Sequence, residues 1–296
     1  MTGAVYDRGY RPYEGDQGGR RAARWALFRA SVRRALGLRR SWRQKVAPFT
    51  LLAIAVVPAI VNVGLSYVTR DSIASDIQLL TYREYVGVSN TLLVFVALTA
   101  PDIVCPDRRQ RVLPLLFARP LVGVDYVLAK AGAMFAILFA FSFLPQVLLF
   151  VGQMLVSDSG ALRYARDNAE VLWQVPVAVG ALALYYATLG VAIASLSSRR
   201  IIAGASIIAV FLVSSIVSGV LVGAHDGYVS RPSAAALIDL LSLPLQLRDI
   251  VFLGHIGTDD PLSGIAHGGL YAGLVFVAVV LAAMVTLYVR YDEVER

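Results

Sequence analysis

Six long apolar runs alternate with short polar segments along the chain. Their approximate bounds are residues 47–68, 86–104, 125–153, 171–196, 201–223 and 268–289. Each run is close to, or above, the ~20 residues that a helix needs to cross the hydrocarbon layer of a bilayer. The pattern therefore predicts an all-α, polytopic membrane protein with a six-span transmembrane domain over residues 46–290.

The third run is the longest, at roughly 29 residues, or about 43 Å of helix at 1.5 Å per residue. It contains Pro145, so we expect a helix that is tilted, kinked at this proline or extended beyond the bilayer. The fourth and fifth runs are separated only by the turn from Leu196 to Arg200.

Two segments precede the first run. Residues 1–19 are rich in glycine, tyrosine and charge, which is typical of a disordered tail. In residues 20–45, Trp25, Phe28, Val32 and Leu36 fall at helical spacing, with arginines around most of the remaining circumference. This pattern predicts an amphipathic cytoplasmic interfacial helix, its arginines reaching anionic head groups. A positive anchor with no further role is the alternative.

The longest segment between two runs, about 224–267, contains the apolar stretch from Ser233 to Gly254. Pro244 divides this stretch into two pieces near ten residues each, too short to span, so we expect re-entrant or interfacial helices. The three histidines lie in or beside this loop near three aspartates; they are His225, His255 and His267, near Asp226, Asp259 and Asp260. Their spacing matches no ligand motif, so we predict solvated loop residues and no metal site.

Composition agrees with this pattern, because 57% of residues are hydrophobic, above the roughly 45–50% of soluble domains. Most of the 27 basic residues lie before the first run, in the 105–130 segment that leads from the second run into the third, in the 197–200 turn, or from Arg290 onward. The six exceptions are Arg70, Arg83, Arg163, Arg166, Arg231 and Arg248. The positive-inside rule then predicts a multi-pass protein of the cell (inner, plasma) membrane with both termini cytoplasmic, including a tail at 291–296. The charges follow topology, so we expect no nucleic-acid partner.

The segment between the second and third runs, CPDRRQRVLPLLFARPLVGVDYVLAK, carries more features than a short connection needs. Pro106 suits a first helical position and Asp107 a first turn, and Val112, Leu113, Leu116 and Phe117 form an apolar face. We predict a short cytoplasmic helix, with Asp125 capping the next span and Lys130 snorkelling outward. A loop that only sets topology would explain the arginines but not the apolar face.

In layout, this chain resembles an ABC-2-type permease, the membrane subunit of an ATP-binding-cassette exporter. The similarity is carried by the six spans, the basic amphipathic start, the broken apolar helices of the last outer loop and the segment just quoted. In that segment the matching features are the charged start Asp107 to Arg111, the pair Leu115-Leu116, Arg119-Pro120, and Val127 to Lys130. One departure is Arg111-Val-Leu-Pro114, where the family often shows a Gly-Thr-Leu-Glu-like step.

The resemblance implies that this loop docks on a separate cytoplasmic ATPase subunit and that two permease chains, identical or not, form the translocation path. The implied ATPase contacts are Asp107, Arg108, Arg109, Arg111, Leu113, Leu116 and Phe117. The chain lacks a Gly-x-x-x-x-Gly-Lys-Ser/Thr motif, so it would bind no cofactor itself, and ATP and magnesium would bind the partner. It would then be a transport subunit rather than an enzyme.

Polar side chains within the runs are candidates for a substrate path, because such groups face the interior of a helix bundle. The candidates are Asn62, Asn90, Gln146, Gln174 and Tyr185. The alternative role for them is hydrogen bonding between helices. Asp102, near the end of the second run, is expected to meet water or a nearby arginine. The spacings Ser214-x-x-x-Ser218 and Gly219-x-x-x-Gly223 predict close packing of the fifth run at a dimer or bundle seam.

Two other classes of function remain open alternatives. An ion-coupled secondary carrier would be expected to carry ionisable residues near mid-membrane and internal repeats. A membrane-embedded lipid-modifying enzyme would need converging carboxylates, a Ser–His pair or a metal motif at one depth. A subunit that only transmits ATP-driven motion to an outer partner is also compatible with the sequence. The substrate itself is not encoded in any pattern that we recognise.

Overall fold

The computed structural model describes residues 19–38, 42–69, 81–86, 89–110, 121–157, 160–223 and 233–295. Every regular element within these ranges is helical, as the sequence predicts. The α-helices are α1 (Arg20–Ala35), α2 (Trp42–Thr69), α3 (Tyr82–Val86), α4 (Ser89–Arg109), α5 (Gly123–Val156), α6 (Ala161–Asp167), α7 (Val171–Ser195), α8 (Arg200–Gly223), α9 (Leu243–Leu253) and α10 (Gly268–Glu295). A short 3₁₀ helix, Ala234–Ile238, precedes α9.

In the part of the chain that the structure describes, six helical stretches are long and apolar enough to cross a membrane, which confirms the predicted spans. They are Phe49–Val68, Tyr82–Arg109, Gly123–Val156, Val171–Ser195, Arg200–Gly223 and Gly268–Asp292. The longest is α5, at 34 residues with Pro145 inside. At 1.5 Å per residue it is about 51 Å long, so it exceeds the ~30 Å of hydrocarbon. The protein is a multi-pass, all-α membrane protein.

Helices α4 and α7 form the centre of the bundle. α7 packs against α4, α5, α8, α9 and α10, and its Leu182, Tyr185 and Tyr186 are fully buried. By contrast, α2, α8 and α10 expose rows of large aliphatic side chains such as Ile60 and Ile216. Because a bilayer solvates these side chains, we assign the outer faces of α2, α8 and α10 to lipid or to a neighbouring subunit.

A proline in α4 and a glycine in α8 lie at a close approach between these two helices. Pro101 has no backbone N–H, so the carbonyl of Ala97, one turn earlier, lacks its usual helical donor. Gly204 of α8 lies over this carbonyl, and a Cβ at position 204 would be 2.7 Å from the Ala97 oxygen. Only glycine therefore fits here, and its Cα–H groups face a carbonyl that needs a donor.

Helix α1 is shorter than the predicted 20–45 segment, because it ends at Ala35. Gly37 adopts a left-handed conformation with φ 65°. The N–H of Leu38 donates to the backbone carbonyl of Arg33, and the N–H of Gly37 donates to the backbone carbonyl of Arg34. These two hydrogen bonds form a Schellman motif, which terminates a helix. The chain then starts α2 at Trp42, five residues before the predicted first run. Of the predicted tail at 1–19, residues 1–18 lie outside the described residues.

The apolar stretch from Ser233 to Gly254 forms two short pieces, as predicted. The first is the 3₁₀ helix, which packs on α8 and receives a hydrogen bond from Ser218 Oγ to the Ala235 carbonyl at 3.0 Å. The second is α9, which begins at Leu243 with Pro244 in its first turn. Ser218 therefore contacts this loop within one chain, so the predicted seam at the Ser214–Ser218 face is a seam of the bundle.

Candidate functional site

One end of the bundle gathers most of the basic residues that the structure describes. We call it the basic end: it comprises α1, the last turn of α4, the first turns of α5, the α7–α8 turn and the last turn of α10. Contacts among these segments, given below, show that they meet. The sequence predicts this end to be cytoplasmic, because its charge is positive.

The basic end begins with a correction to the sequence analysis. Pro106 does not start a separate helix: α4 continues through it to Arg109, so Asp107 belongs to the last turn of the second span. A proline near the end of a helix removes only one hydrogen bond, and the buried contacts of Asp107 fix the turn that follows. Residues 111–120 lie outside the described residues.

The carboxylate of Asp107 is the centre of a buried charge cluster. Its Oδ2 lies 2.6 Å from Lys130 Nζ and accepts a hydrogen bond from the Tyr126 hydroxyl at 2.9 Å. Its Oδ1 lies 2.5 Å from Arg34 Nη1. The Tyr126 ring packs on the Tyr291 ring, with centroids 4.7 Å apart. These five residues, which we call the Asp107 cluster, join α1, α4, α5 and α10.

Lys130 lies inside the protein and does not snorkel outward as the sequence suggested. It is 2% exposed, donates to the carbonyl of Ile103 at 2.8 Å, and lies 5.2 Å from the centroid of the Tyr126 ring. Moving a lysine and an aspartate from water into such a site costs several kcal/mol for each ion. The contacts that offset this cost are the ion pair itself, the hydrogen bonds from Tyr126 and Lys130, and the second ion pair with Arg34.

A second ion pair joins α1 to the start of α5. Arg20 Nε lies 2.5 Å and Arg24 Nη1 3.5 Å from the carboxylate of Asp125, which also accepts from the Val122 N–H at 3.4 Å. Asp125 was predicted to cap this helix, but the N-cap is Val122, and Asp125, the third residue of α5, accepts from the N–H of that N-cap residue. Helix α1 therefore bonds to the residues on both sides of segment 111–120, through Arg34 before it and through Arg20 and Arg24 after it.

Two further contacts connect the end of α4 to the middle of the bundle. The guanidinium of Arg108 donates to the carbonyl of Ser195, the last residue of α7. Arg200, the first residue of α8, places Nε 2.9 Å from Asp102 Oδ1. The expectation that Asp102 meets an arginine is thus confirmed. Any displacement of the last turn of α4 must also move α1, α5, α7 and α8 or break these bonds.

The seven residues expected to contact an ATPase fall into three groups. Asp107 is buried and fully bonded within the chain, so in this conformation it positions the loop instead of facing a partner. Arg108 is half-buried against α7, and Arg109 is exposed. The other four, Arg111, Leu113, Leu116 and Phe117, lie outside the described residues. Contact with an ATPase stays a prediction for all seven.

The predicted substrate-path residues do not meet at one place. Asn62 of α2 accepts a hydrogen bond from Gln153 of α5 at 3.0 Å, and Gln153 also donates to Ser66 at 3.0 Å. Gln146 donates to the carbonyl of Tyr82 at 3.2 Å. These contacts join helices, which is the alternative role that the sequence left open for such side chains.

The remaining path candidates lie elsewhere. Tyr185 is buried at the centre of the bundle, where its ring stacks on Phe276 with centroids 5.3 Å apart; within the described residues its hydroxyl has no hydrogen-bond partner. Gln174 is buried in the first turn of α7. The side chain of Asn90 lies outside the described residues. A role in substrate contact stays a prediction for all five path candidates.

The opposite end of the bundle is held by one bidentate ion pair. Arg83 of α3 bonds to both oxygens of Asp249 in α9, with Nε–Oδ1 at 2.9 Å and Nη2–Oδ2 at 3.0 Å. Nearby, His255 Nδ1 lies 2.8 Å from the Ile256 carbonyl. His225 lies outside the described residues. Among those described, no three His, Cys, Asp or Glu side chains converge as metal ligands.

Sequence reasoning missed three members of the Asp107 cluster: Arg34, Tyr126 and Tyr291. Arg34 was one arginine among many in α1, and Tyr126 one apolar position in a span. Tyr291 was assigned to a cytoplasmic tail, whereas α10 continues to Glu295 and buries this side chain. The sequence did contain one signal: an acid, Asp107, and a lysine, Lys130, lie near the facing ends of two consecutive spans. Because buried charges require partners, this pair could have predicted a buried charge cluster.

The basic end can act as a rigid mechanical junction. Within the described residues it contains no exposed pair of acid and base that could perform chemistry, but its polar contacts join α4 to α1, α5, α7 and α8. No family model, curated protein or solved structure matches this chain.

Proposed function

We propose that this chain is the permease subunit of an ATP-driven exporter, moved by a separate cytoplasmic ATPase that binds segment 105–119. One observation carries the proposal: both sides of segment 111–120 are ion-paired to α1, through Asp107 and Asp125. A loop that only sets topology needs no such bonds. A loop that receives force needs rigid attachment to the elements it must move.

Force applied to the loop would follow the bonds already described. From Asp107 it reaches α1 through Arg34 and α5 through Lys130. From Arg108 it reaches α7, the central helix. The six spans and the absence of an ATP-binding motif in the sequence add support, because a chain of this kind would depend on an ATPase partner.

The first test is purification of the tagged chain from its native membrane, followed by identification of the proteins that accompany it. We expect an ATPase in a stoichiometric amount. The variant Arg109→Glu should lower its recovery on the order of tenfold, because reversing a charge at an interface introduces repulsion. Arg109 is preferred to Arg108, whose guanidinium has a bond within the bundle. The control is Arg163→Glu, on exposed α6. Equal recovery in both variants would contradict the proposal.

The second test separates binding from transmission of motion. A fluorophore on Ala22→Cys of α1 should change its emission when ATP is added to the complex, and Cys105 should not react because it is buried. In Asp107→Asn combined with Asp125→Asn, the ATPase should remain bound while the fluorescence change is lost. A fluorescence change that survives in this variant would show that the ion pairs do not carry the motion.

A secondary carrier is the second candidate, favoured by the two ionisable side chains of Asp107 and Lys130 within the spans. Both lie near the ends of their helices, however, and they bind each other. The discriminating measurement is proton uptake by vesicles that contain the chain without an ATPase, under an imposed membrane potential. Uptake that depends on Asp107 would support the carrier, and its absence leaves the ATP-driven permease as the better proposal.

A further inference from the structure

An apolar groove lies beside the basic end, between α1, α2, α4 and α5. Its volume is about 310 Å³, and every side chain that lines it is apolar. Phe28, Val32 and Leu36 of α1 form one wall, and Phe95 of α4 is buried at its base. Ligand pockets begin at roughly this volume, about 300 Å³.

The shape of the groove follows from small residues in α5. Ala136, Ala140 and Leu144 are four residues apart, so they form one stripe along the helix, about 12 Å long. The alanines leave a furrow, which Phe49 and Leu52 of α2 border on the other side. The groove thus runs from α1 along α5 into the apolar part of the bundle. This geometry suits an extended hydrocarbon chain.

Cations lie at the α1 end of the groove. Arg21, Trp25, Arg29 and Arg33 form an exposed stripe next to the stripe of Phe28, Val32 and Leu36. The Trp25 ring stacks on Phe28 at 4.9 Å, and the Arg29 guanidinium carbon lies 4.9 Å from the centre of the Trp25 ring. The sequence contains no acidic residue between Arg20 and Lys45. An anionic group at this end would therefore meet arginines without a competing carboxylate on the same segment.

We infer that the groove binds one anionic phospholipid. The acyl chain lies along Ala136 and Ala140, and the head-group phosphate binds Arg29 and Arg33. Charge complementarity selects this occupant: a zwitterionic lipid carries a cationic amine that offsets its phosphate, and a neutral detergent or an apolar helix brings no anionic group to the arginines. The inference requires only that the protein spans a membrane, and it is independent of the proposed function.

Trp25 provides the measurement, because it contacts the groove wall. With Trp42→Phe and Trp173→Phe, Trp25 becomes the one tryptophan of the chain, which contains three. The full-length protein is placed in phosphatidylcholine vesicles that contain a minor fraction of brominated phosphatidylglycerol or brominated phosphatidylcholine. We expect half-maximal quenching of Trp25 at a lower fraction of brominated phosphatidylglycerol than of brominated phosphatidylcholine, by a factor on the order of ten, because two arginines favour the anionic lipid.

Two variants test the two parts of the site. Arg29→Gln with Arg33→Gln should remove the preference for the anionic lipid, while Arg163→Gln with Arg166→Gln, on exposed α6, should keep it. Ala136→Leu with Ala140→Phe fills the groove and should also remove the preference. Ala282→Leu, on the exposed face of α10, is the control for added bulk in a span.

Each remaining outcome overturns the inference. Equal quenching by both lipids in the unmodified background would show a groove that takes any acyl chain. A preference that survives in the filled groove would show attraction of head groups without insertion of a chain. If the filled variant fails to insert, phospholipid retained after purification is measured by mass spectrometry in the arginine variants alone, and unchanged retention of the anionic lipid contradicts the site.

Discussion

Lys130 Nζ lies 2.6 Å from Asp107 Oδ2, and each of these residues is 2% exposed. The two residues lie on different spans, α4 and α5, and they face each other near the loop that joins those spans. Such a pair is stable only if both members are present, because either one alone leaves an unpaired charge in an apolar setting.

Removing one partner of this pair should therefore cost more than removing both. Asp107→Asn or Lys130→Met is expected to lower the free energy of unfolding by about 3–5 kcal/mol, the range for breaking a buried ion pair. The double variant Asp107→Leu with Lys130→Met should recover a large part of this loss. Thermal unfolding of the single and double variants in mild detergent measures these differences in stability.

The matched control is Asp167→Asn, which removes one member of an exposed ion pair with Arg163 at 3.9 Å. It should change stability by less than about 1 kcal/mol. If the double variant at 107 and 130 is less stable than both single variants, Asp107 and Lys130 contribute mainly through their other contacts.

Gly204 should not tolerate a side chain. Gly204→Ala places a methyl group 2.7 Å from the Ala97 oxygen, so α8 must move away from α4. Forced overpacking of this kind costs about 1–3 kcal/mol. Gly219→Ala on the same helix is the comparison, because a Cβ there meets nothing within 4 Å. A melting temperature of Gly204→Ala equal to that of Gly219→Ala would contradict the close approach.

The bidentate pair of Arg83 and Asp249 should determine how firmly α9 is held. Arg83→Lys keeps the charge but cannot form two parallel hydrogen bonds with one carboxylate. We expect faster amide hydrogen exchange in Leu243–Leu253, by about tenfold if the loss is near 1.4 kcal/mol. Protection of α1 should not change. Unaltered exchange in α9 would indicate that apolar packing alone holds it.

The predicted orientation can be tested with single cysteines. Cys105 is buried and should react slowly, so a new exposed cysteine can be labelled selectively. Leu162→Cys, at a position 89% exposed on α6, should react with an impermeant reagent in intact cells. Ser198→Cys, in the α7–α8 turn, should react only after the membrane is opened. The reverse result would invert the topology expected from the positive-inside rule.

Hydrophobic length alone was enough to predict the helical class and the six spans. The break at Pro244 likewise predicted two short helices, because neither piece can cross a bilayer. Helix ends were less predictable. Gly37 is a recognisable stop signal for α1, but Pro106 suggested the start of a separate cytoplasmic helix at a point where α4 in fact continues. A proline is compatible with both, and tertiary contacts of Asp107 decide between them.

The candidate site was predictable only in part. Sequence position indicated that the segment around Asp107 matters, yet it could not show which of many arginines would reach a given carboxylate. Arg34 and Tyr291 are about 73 and 184 residues from Asp107 along the chain, so their contacts depend on how α1 and α10 pack. For polar side chains such as Gln153, the sequence does not distinguish contact with a substrate from hydrogen bonding to a neighbouring helix.

The Asp107 cluster also has a consequence for biosynthesis. Tyr291 belongs to α10, whereas its partner Tyr126 and the Asp107–Lys130 pair belong to α4 and α5, which leave the ribosome much earlier. A nascent chain can therefore form the ion pair first, but the tyrosine that covers it arrives only once α10 has inserted. Until then the aromatic wall of the cluster faces lipid or the insertion machinery. Burial of the ion pair formed by the earlier helices is therefore completed only by the last helix of the chain.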